Sequence, residues 1–440
     1  ALKKPRYGCP LLYQLLKLPA RTSLWFFYKR IYRLYRERQP KEQPTIVVAN
    51  HANTFTDPIS IALLQPRDLY FWARANEFKK PVVGWVARNV HMLPIHRQRD
   101  GKDQMAKNAE TFAASRRVLA QTGNMLFIAP EGDCYVEKRL RPLKQGTARL
   151  SLEFLRENPN SELFIQPLGL NYTTITRGWG DFFLVWGEPI AVRRYWSEFE
   201  HDEQAAVEAL TRDIAEALRA TMLHIDKPEN EQMVEGFWEI YRNDLRESAF
   251  PTYRYNPQRF EAERAIAEGV QTVNYSDTLR VMVEGYFFTL RENRLTDLGV
   301  CESLHPQASR WAFVVLTAPV GIAAFVANLV PLRLVQYALW RIVKDDSFRA
   351  PMALVFGIAV WALWGLLAMF VGWLAGLGWW ALLLPFALLI LQYFSQHWAE
   401  QVGILRQRAR YMAWRSRRSE EAQKLEVQRR TLQVAYKRCL

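Results

Sequence analysis

Cysteine is scarce in this chain of 440 residues, and the cysteines that it has are far apart. They are Cys9, Cys134, Cys301 and Cys439. This spacing matches neither the paired cysteines of zinc sites nor those of redox motifs, so we expect free thiols and no metal site. The N-terminal residues lack a compact apolar run followed by a small-residue cleavage site. This predicts no secretory signal, so we expect the part of the chain outside any membrane region to face the cytoplasm.

Acidic residues are outnumbered, since 44 Asp and Glu stand against 58 Lys and Arg and the formal net charge is +14. The excess favours an anionic partner, such as a phosphate ester, an anionic lipid surface or nucleic acid. The chain also has 16 Trp, 18 Tyr and 24 Phe. Trp and Tyr rings settle at the headgroup level of a bilayer while basic side chains meet its phosphates, so the composition favours lipid. Nucleic acid is disfavoured because no nucleic-acid-binding motif is present.

Residues 1–44 are basic and amphipathic. Residues 1–40 contain ten Lys or Arg and one acid, Glu37, interleaved with leucine and aromatic residues. This pattern is typical of helices that lie in a membrane interface. It is equally typical of an amphipathic helix packed on its own domain. We predict membrane-interface helices here and leave the second interpretation open.

Residues 45–195 alternate short apolar segments with helical stretches. The segments predicted as strands are 45–49, 69–73, 125–129, 163–170 and 182–185. One helix is predicted to begin with Asp57 as its cap and Pro58 in its first turn. Another is predicted over residues 103–122, where Gly123 ends it. The alternation predicts an α/β layer fold whose strand-end loops carry the chemistry.

The rest of the chain is predicted to be helical. Residues 196–310 form a helical appendage, in which apolar residues recur at helical spacing. Residues 311–332 and 350–399 contain no charge, and a helix needs about 20 apolar residues to cross a membrane. We therefore predict a membrane region, 311–399, with a two-helix hairpin over 350–399. Because prolines interrupt residues 311–332, this shorter run is predicted to be re-entrant or interfacial.

Basic residues flank the predicted hairpin on both sides. Those before it are Arg333, Arg341, Lys344 and Arg349, and those after it are Arg406, Arg408, Arg410, Arg415, Arg417 and Arg418. The tendency of basic loops to stay in the cytoplasm predicts that both flanks lie on that side, together with the catalytic domain. Residues 400–440 are accordingly predicted as a basic cytoplasmic tail helix.

The first chemical motif is NHANTFTDP, residues 50–58, which directly follows a predicted strand. A histidine at the end of a buried strand, followed closely by an aspartate, can form an imidazole held in one tautomer by a carboxylate. Such a His51 and Asp57 pair can deprotonate a hydroxyl. Taken alone, Asp57 is also an ordinary helix cap and His51 an ordinary loop histidine.

Three further motifs follow, each of them a weak signal alone. Arg97 comes just after the apolar segment 92–95, where its planar donors suit a phosphate. Glu131 and Gly132 end a predicted strand, with Lys144 downstream, and present a carboxylate and open backbone amides. The segment IQPLGL, residues 165–170 around Pro167, has no polar chemistry and is interpreted as a wall for an apolar ligand.

As a set, these motifs resemble the four motifs of the glycerophospholipid and lysophospholipid acyltransferase superfamily, over about residues 45–190. The resemblance implies an α/β acyltransferase domain with a mixed sheet flanked by helices. It also implies acyl transfer from acyl-CoA or acyl-carrier protein to a glycerol hydroxyl, with no cofactor. The implied roles are general base for His51, orientation of the base for Asp57, acceptor binding for Arg97, Glu131 and Gly132, and shaping of the acyl side for Pro167.

Two departures from the superfamily pattern matter. Five residues separate His51 from Asp57, where four are usual. This longer form, with the segment PLKQG at 142–146, resembles the branch of fungal glycerol-3-phosphate and dihydroxyacetone-phosphate acyltransferases. Asp133 and Cys134 follow the third motif, where many members have Thr-Arg or Gly-Ser. The phosphate ligand at this motif is therefore in question, and Lys144 is a candidate to replace it.

We expect an enzyme that acylates glycerol 3-phosphate or dihydroxyacetone phosphate in phospholipid synthesis. The alternative acceptors are 1-acylglycerol 3-phosphate and other lysophospholipids. An alternative of another class is a non-catalytic membrane scaffold, against which the presence of all motif residues counts. A nucleophilic role for Cys134 is a further alternative, although a thioester is already activated. The expected partners are the bilayer, the acyl thioester and a phosphorylated glycerol acceptor.

Overall fold

The computed structural model describes residues 10–96, 101, 106–121, 123–272 and 277–440. The chain divides into two compact units. The first, the sheet unit, consists of Ala1–Met222, Thr252–Asn256 and Val343–Val355. The second, the helical unit, consists of Leu223–Pro251, Pro257–Ile342 and Phe356–Leu440.

The sheet unit is built on a mixed sheet, which has nine strands in the described part of the chain. They are β1 (Arg30–Leu34), β2 (Thr45–Ala49), β3 (Asp68–Arg74), β4 (Met92–Ile95), β5 (Asn124–Ile128), β6 (Phe164–Tyr172), β7 (Asp181–Trp186), β8 (Ile190–Ala191) and β9 (Tyr253–Arg254). The order is β4-β3-β5-β2-β6-β7-β1-β9, and β8 pairs with β6. Strands β4, β3, β5, β2 and β6 are parallel to one another, and β7 runs antiparallel to β6. Strands β1 and β9 then run parallel to β7.

Helices cover both faces of this sheet. They are α1 (Pro10–Phe27), α2 (Thr56–Leu64), α3 (Pro81–Asn89), α4 (Asn108–Leu119), α5 (Gly146–Glu157), α6 (Trp196–His201) and α7 (Glu203–Ala220). The five residues of β2 are all buried. Ile46 and Val48 belong to the core shared with α4, α5 and α7, whereas Val47 and Ala49 belong to the core shared with α1 and α2. Because β2 is buried on both faces, its sequence is apolar almost without interruption.

The α/β sheet flanked by helices is the fold that the sequence predicts. Each of the five predicted strand segments overlaps a strand of the sheet, and α2 and α4 lie within or next to the predicted helical stretches. Residues 196–310 are mainly helical, apart from β9. The sequence did not predict β4, β8 or β9.

The prediction of helix throughout residues 1–44 was wrong for residues 30–34, which form β1 between β7 and β9. Contacts with β7 explain the difference. The Arg30 guanidinium donates to both carboxylate oxygens of the buried Asp181, at 2.7 and 2.8 Å. The Tyr32 ring stacks on Phe183 with their centroids 4.3 Å apart. These long-range contacts override the local helical pattern.

Helix α1 packs on its own unit, as the second interpretation of the N-terminal segment expects. Leu24 is fully buried in the core of the sheet unit. Among the described side chains of this helix, the exposed leucines are Leu15, Leu16 and Leu18, and Leu18 is 73% exposed. The helix thus packs on its own unit and leaves an apolar strip uncovered. Contact of this strip with a membrane interface remains a prediction.

The helical unit contains the remaining helices. They are α8 (Glu231–Leu245), α9 (Gln258–Thr272), α10 (Asp277–Glu292), α11 (Asp297–Ser303), α12 (Ala308–Leu316), α13 (Ala318–Ile342), α14 (Arg349–Leu374), α15 (Leu384–Arg417) and α16 (Ser419–Lys437). The first residues of α14 are counted with the sheet unit. A short 3₁₀ turn, Gly378–Leu383, lies between α14 and α15.

In the part of the chain that the structure describes, three stretches are long and apolar enough to cross a membrane. They are Ala318–Ile342, Asp346–Leu374 and Gly378–Arg417. The second and third include the hairpin predicted over residues 350–399. The region predicted as re-entrant, 311–332, is divided between α12 and α13, and α13 continues through Pro331 to Ile342. By its length and composition α13 is therefore a third candidate span, and the orientation of the three remains a prediction.

Candidate active site

The candidate site lies at the edge of the sheet where the parallel strands β2, β3, β4 and β5 end. A cavity of about 970 Å³ opens there. It is lined by His51 after β2, by Arg74 at the end of β3, by His96 after β4 and by Glu131 after β5. Ligands of parallel α/β sheets bind at the carboxyl ends of the strands, so this position is the expected one.

His51 and Asp57 form the central pair of the site. The distance from His51 Nδ1 to Asp57 Oδ2 is 2.9 Å. Because a carboxylate can only accept hydrogen bonds, the hydrogen of the neutral imidazole lies on Nδ1. The other ring nitrogen, Nε2, then carries the lone pair. His51 lines the cavity, and its side chain is 15% exposed. The pair predicted from the sequence is therefore formed with the geometry of a general base and its orienting carboxylate.

Asp57 is completely buried, and its carboxylate gathers further donors. Oδ2 accepts the backbone N–H groups of Ala52 at 3.0 Å and Asn53 at 2.9 Å. The prediction that Asp57 caps the following helix was wrong, because α2 begins at Thr56 and Phe55 occupies the cap position without a side-chain hydrogen bond. Buried backbone amides need partners, and the carboxylate turns back to satisfy those of the loop after β2.

Tyr172 completes the surroundings of Asp57 and was missed in the sequence. Its hydroxyl donates to Asp57 Oδ1 at 2.5 Å. Burial, together with the Asp57 charge, raises the pKa of Tyr172 well above its usual range, so the hydroxyl remains a donor. The ring stacks on Phe182 with centroids 4.5 Å apart. Tyr172 lies at the end of β6, and a tyrosine at a strand end is only a weak indication of a site residue. Its distance from Asp57 along the sequence matches no motif.

Glu131 joins two loops of the site. One of its oxygens accepts the backbone N–H of His51 and the other accepts that of Arg141, both at 3.0 Å. The side chain is buried, and burial raises its pKa in spite of these two hydrogen bonds. In the structure Glu131 thus supports the His51 loop. The acceptor-binding role that the sequence predicts for it remains a prediction.

Gly132 and Lys144 lie together beside this carboxylate. Gly132 has φ +78, a conformation that glycine adopts without steric cost. A Cβ at this position would lie 3.4 Å from Lys144 Cγ. The backbone N–H of Lys144 donates to the Pro130 carbonyl at 2.7 Å. The fold therefore brings the third motif and Lys144 to one wall of the cavity.

Cationic side chains line the same cavity. Besides Lys144 they are Arg74, Arg141 and Arg149. Arg74 lies 3.7 Å from Asp133, and Arg141 is paired with Glu137. Arg149 donates to the side-chain oxygens of two glutamines. Within the described residues no carboxylate lies within salt-bridge distance of Lys144, which is exposed. Arg74 was missed, although it directly follows a predicted strand.

The two other predicted site residues are Arg97 and Pro167. Arg97 lies outside the described residues. Pro167 is buried in β6, in register with Val48 of β2, and its carbonyl accepts the backbone N–H of Gly187 at 2.9 Å. Pro167 is not among the residues that line the cavity. Its role on the acyl side remains a prediction.

Aromatic rings supply much of the apolar lining. They are Phe55, Phe71, Trp72, Phe112, Phe127, Tyr135 and Phe348. Phe348 comes from the distant segment Val343–Val355 and was not singled out in the sequence. The cavity therefore combines cationic groups suited to an anion with rings suited to a hydrocarbon.

Cys134 does not have the properties of a nucleophile. Burial raises the pKa of its thiol to about 12, so the thiol is protonated at neutral pH. Within the described residues no three His, Cys, Asp or Glu side chains are grouped closely enough to hold a metal ion. His51 and Asp57 remain the predicted catalytic pair of this cavity.

Comparison with known proteins finds a family match over the part of the chain that carries this pair. A family model described as Acyltransferase matches residues 32–171, which begin within β1 and end within β6. The matched part of the chain is thus similar to acyltransferase domains. The matched residues include the His51 and Asp57 pair, Glu131, Gly132 and Lys144, and they end one position before Tyr172.

Two individual proteins are also similar to this chain. An uncharacterized acyltransferase of Schizosaccharomyces pombe is 20% identical over 322 residues, with 52% of this chain and 48% of that protein covered. The chain thus spans about half the length of this curated relative. The crystal structure of the 1-acyl-sn-glycerophosphate (LPA) acyltransferase PlsC from Thermotoga maritima is 20% identical, with a TM-score of 0.33. That likeness covers 47% of this chain and 79% of the other.

Proposed function

We propose that this protein transfers a fatty acyl group from a thioester to a hydroxyl of a phosphorylated glycerol. The observation that carries the proposal is the His51 and Asp57 pair, with a 2.9 Å separation and a fully buried carboxylate. The pair lies in the matched acyltransferase domain and opens onto the cavity. A base held in one tautomer beside a ligand-sized cavity is what deprotonation of an acceptor hydroxyl requires.

The reaction follows from the position of the base. His51 Nε2 takes the hydroxyl proton as the acceptor oxygen attacks the thioester carbonyl carbon. The new C–O bond forms and the C–S bond breaks, and the proton passes from the imidazolium to the departing thiolate. Asp57 stabilises the imidazolium while it exists. No acyl-enzyme is needed, since the thioester is already activated.

The cationic lining supports a phosphorylated acceptor. Arg74, Arg141, Lys144 and Arg149 line the cavity, and guanidinium and ammonium groups are strong donors to phosphate oxygens. Lys144 is the residue proposed to bind the phosphate most directly, because it is exposed and no described carboxylate lies within salt-bridge distance of it. Arg97 keeps the same proposed role from its position after β4.

Glycerol 3-phosphate and dihydroxyacetone phosphate are the proposed acceptors. The longer His51 to Asp57 spacing and the PLKQG segment, which resemble the fungal branch, support this choice. A lysophospholipid such as 1-acylglycerol 3-phosphate is the alternative, because it carries the same phosphate and a free glycerol hydroxyl. The donor is proposed to be acyl-CoA or acyl-carrier protein.

The test is an acyl-transfer assay with purified protein in detergent or vesicles. Both donors are crossed with glycerol 3-phosphate, dihydroxyacetone phosphate, 1-acylglycerol 3-phosphate and glycerol. The proposal expects transfer to a phosphorylated acceptor at a rate well above that to glycerol. Equal use of glycerol would refute the phosphate site. No transfer in any combination, by a folded protein, would favour the membrane scaffold.

The three long apolar helices indicate a membrane protein. We propose that the acyltransferase domain faces the cytoplasm, because basic residues flank the apolar stretch 350–399 on both sides. Helix α1 is proposed to contact the membrane interface through its exposed leucines. Such attachment gives a soluble donor and a lipid product access to the same enzyme.

A further inference from the structure

The segment Val343–Val355, here called the returning segment, belongs to the sheet unit although it comes late in the chain. Val343, Ala350 and Leu354 are buried. Leu354 is part of the core that contains Val47 of β2, and the Ser23 hydroxyl donates to the Leu354 carbonyl at 3.2 Å. The returning segment is therefore packed into the domain that carries the site.

The returning segment also contacts the loop that carries the base. The Thr54 hydroxyl, between His51 and Asp57, donates to the Ser347 carbonyl at 2.9 Å. The neighbouring rings of Phe55 and Phe348 meet edge to face, with centroids 6.0 Å apart. One polar and one aromatic contact thus fix this loop against the segment.

Phe348 is held in place by its own turn. Asp346–Phe348 forms a single 3₁₀ turn. The Asp345 carboxylate accepts the backbone N–H of Ser347 at 2.9 Å and its hydroxyl at 2.8 Å. Arg349 pairs with Asp346 at 2.9 Å. These interactions fix the backbone of the turn from which the Phe348 ring reaches the cavity wall.

The apolar stretch that begins with this turn is longer than a membrane crossing requires, so Phe348 can line the cavity without shortening the crossing. The stretch Asp346–Leu374 has 29 residues, whereas a helix needs about 20 to cross the hydrocarbon core. Its first residues are thus not required for a crossing.

Phe348 and Phe55 line the cavity together with His51. Both rings are half-buried and offer apolar surface without a hydrogen-bond donor. Such a wall beside the base suits the hydrocarbon chain of the thioester, whereas the cationic side chains suit the acceptor phosphate. We propose that Phe348 determines which acyl chains the enzyme accepts. This inference rests on the proposed acyl transfer.

The experiment measures kcat/KM for a series of saturated acyl donors from short to long, with the wild type and Phe348→Ala, Phe348→Leu and Phe348→Trp. Phe288→Ala is the matched control, because the Phe288 ring is 58% exposed and lies in the helical unit. One methylene group in an apolar pocket typically changes specificity by about 10- to 200-fold. We therefore expect Phe348→Ala to shift the ratio of long-donor to short-donor kcat/KM by about tenfold or more.

The direction of the shift is part of the test. Phe348→Ala is expected to favour longer donors, Phe348→Trp shorter ones, and Phe348→Leu a change smaller than that of Ala. The acceptor KM and the Phe288→Ala profile are expected to stay as in the wild type. Should Phe348→Ala fail to fold by tryptophan fluorescence, the Trp and Leu variants decide the matter.

If the wild type is active and the folded Phe348 variants keep its ratio of long-donor to short-donor kcat/KM, the inference is overturned. A uniform fall in rate for all donors would also overturn it, since that result assigns the residue to support of the His51 loop alone. A wild type without transfer would instead contradict the proposed function, so the two failures are distinguishable.

Discussion

Replacement of Asp57 by Asn removes one negative charge from a fully buried site and changes one oxygen to an amide nitrogen. Oδ2 faces three hydrogens, from the His51 ring and from the backbone amides of Ala52 and Asn53. The amide oxygen of the new side chain must therefore take the Oδ2 position. The amide nitrogen then faces the Tyr172 hydroxyl, which can accept as well as donate. We expect a folded protein in which the hydrogen on His51 Nδ1 is retained.

The expected cost follows from the lost charge. Hydrogen bonds to charged groups contribute about 1.5–3 kcal/mol and neutral ones about 0.5–1.5 kcal/mol. We therefore expect Asp57→Asn to lower the free energy of unfolding of the sheet unit by about 1–3 kcal/mol. During the reaction the imidazolium has no carboxylate to stabilise it, and a positioned base is worth about 100- to 10,000-fold in rate. The loss is expected in kcat, with KM for both substrates nearly unchanged.

The assay combines initial rates of acyl transfer with denaturant unfolding followed by tryptophan fluorescence. Asp202→Asn is the matched control, because Asp202 is exposed and caps α7 through the backbone amides of Gln204 and Ala205. Asn caps a helix about as well as Asp, so this variant should keep both rate and stability. A folded Asp57→Asn protein that turns over within a few-fold of the wild type would refute the reasoning.

Four further outcomes are expected. His51→Ala should lower kcat by about 100- to 10,000-fold while the fold is kept, and near-normal turnover of the folded variant would contradict the base assignment. Tyr172→Phe keeps the ring stack but leaves a buried carboxylate oxygen without its donor, so kcat should fall by about tenfold or more while the acceptor KM stays constant; an unchanged kcat would assign the hydroxyl to packing alone. Lys144→Ala should raise the KM for a phosphorylated acceptor and not that for the donor, with Lys144→Arg largely restoring it, and an equal rise in both constants would count against phosphate binding. Single cysteines near Gly376 and Ser416 should be labelled from opposite faces of the membrane, and labelling of both from the cytoplasmic face would exclude a hairpin.

The sequence predicts most of the sheet because each inner strand is a short apolar run that can be recognised from its own residues. The run from Ile46 to Ala49 is buried on both faces, so it is apolar without interruption. The His51 and Asp57 pair is predictable for a similar reason, since the two residues lie close together along one loop. The same local pattern did not show whether Asp57 caps the following helix or binds the loop after β2. In the folded chain its carboxylate accepts the buried backbone amides of that loop.

Residues that act across long sequence distances could not be predicted in this way. Strand β1 has a basic and aromatic sequence that is typical of an interfacial helix, and its partner Asp181 lies far along the chain. Tyr172 reaches Asp57 only because β6 lies next to β2 in the sheet. Phe348 has no signal of its own, because it lies among charged residues just before the uncharged run 350–399. The contacts of these residues follow from the order of the strands and segments in the fold, which the local sequence does not show.

The sheet unit is assembled from three separate segments of the chain, and this determines when its folding can be completed during synthesis. Strand β9, which pairs with β1, is made only after the sequence has passed Met222, and the returning segment only after Ile342. A fragment that ended at Met222 would keep His51, Asp57 and Tyr172. It would nevertheless leave β1 as an open edge, which invites pairing with other chains, and it would lack the ring of Phe348 in the cavity wall. A nascent chain therefore contains the proposed catalytic pair early, and the segment that brings Phe348 to the cavity wall only after α13 has been translated.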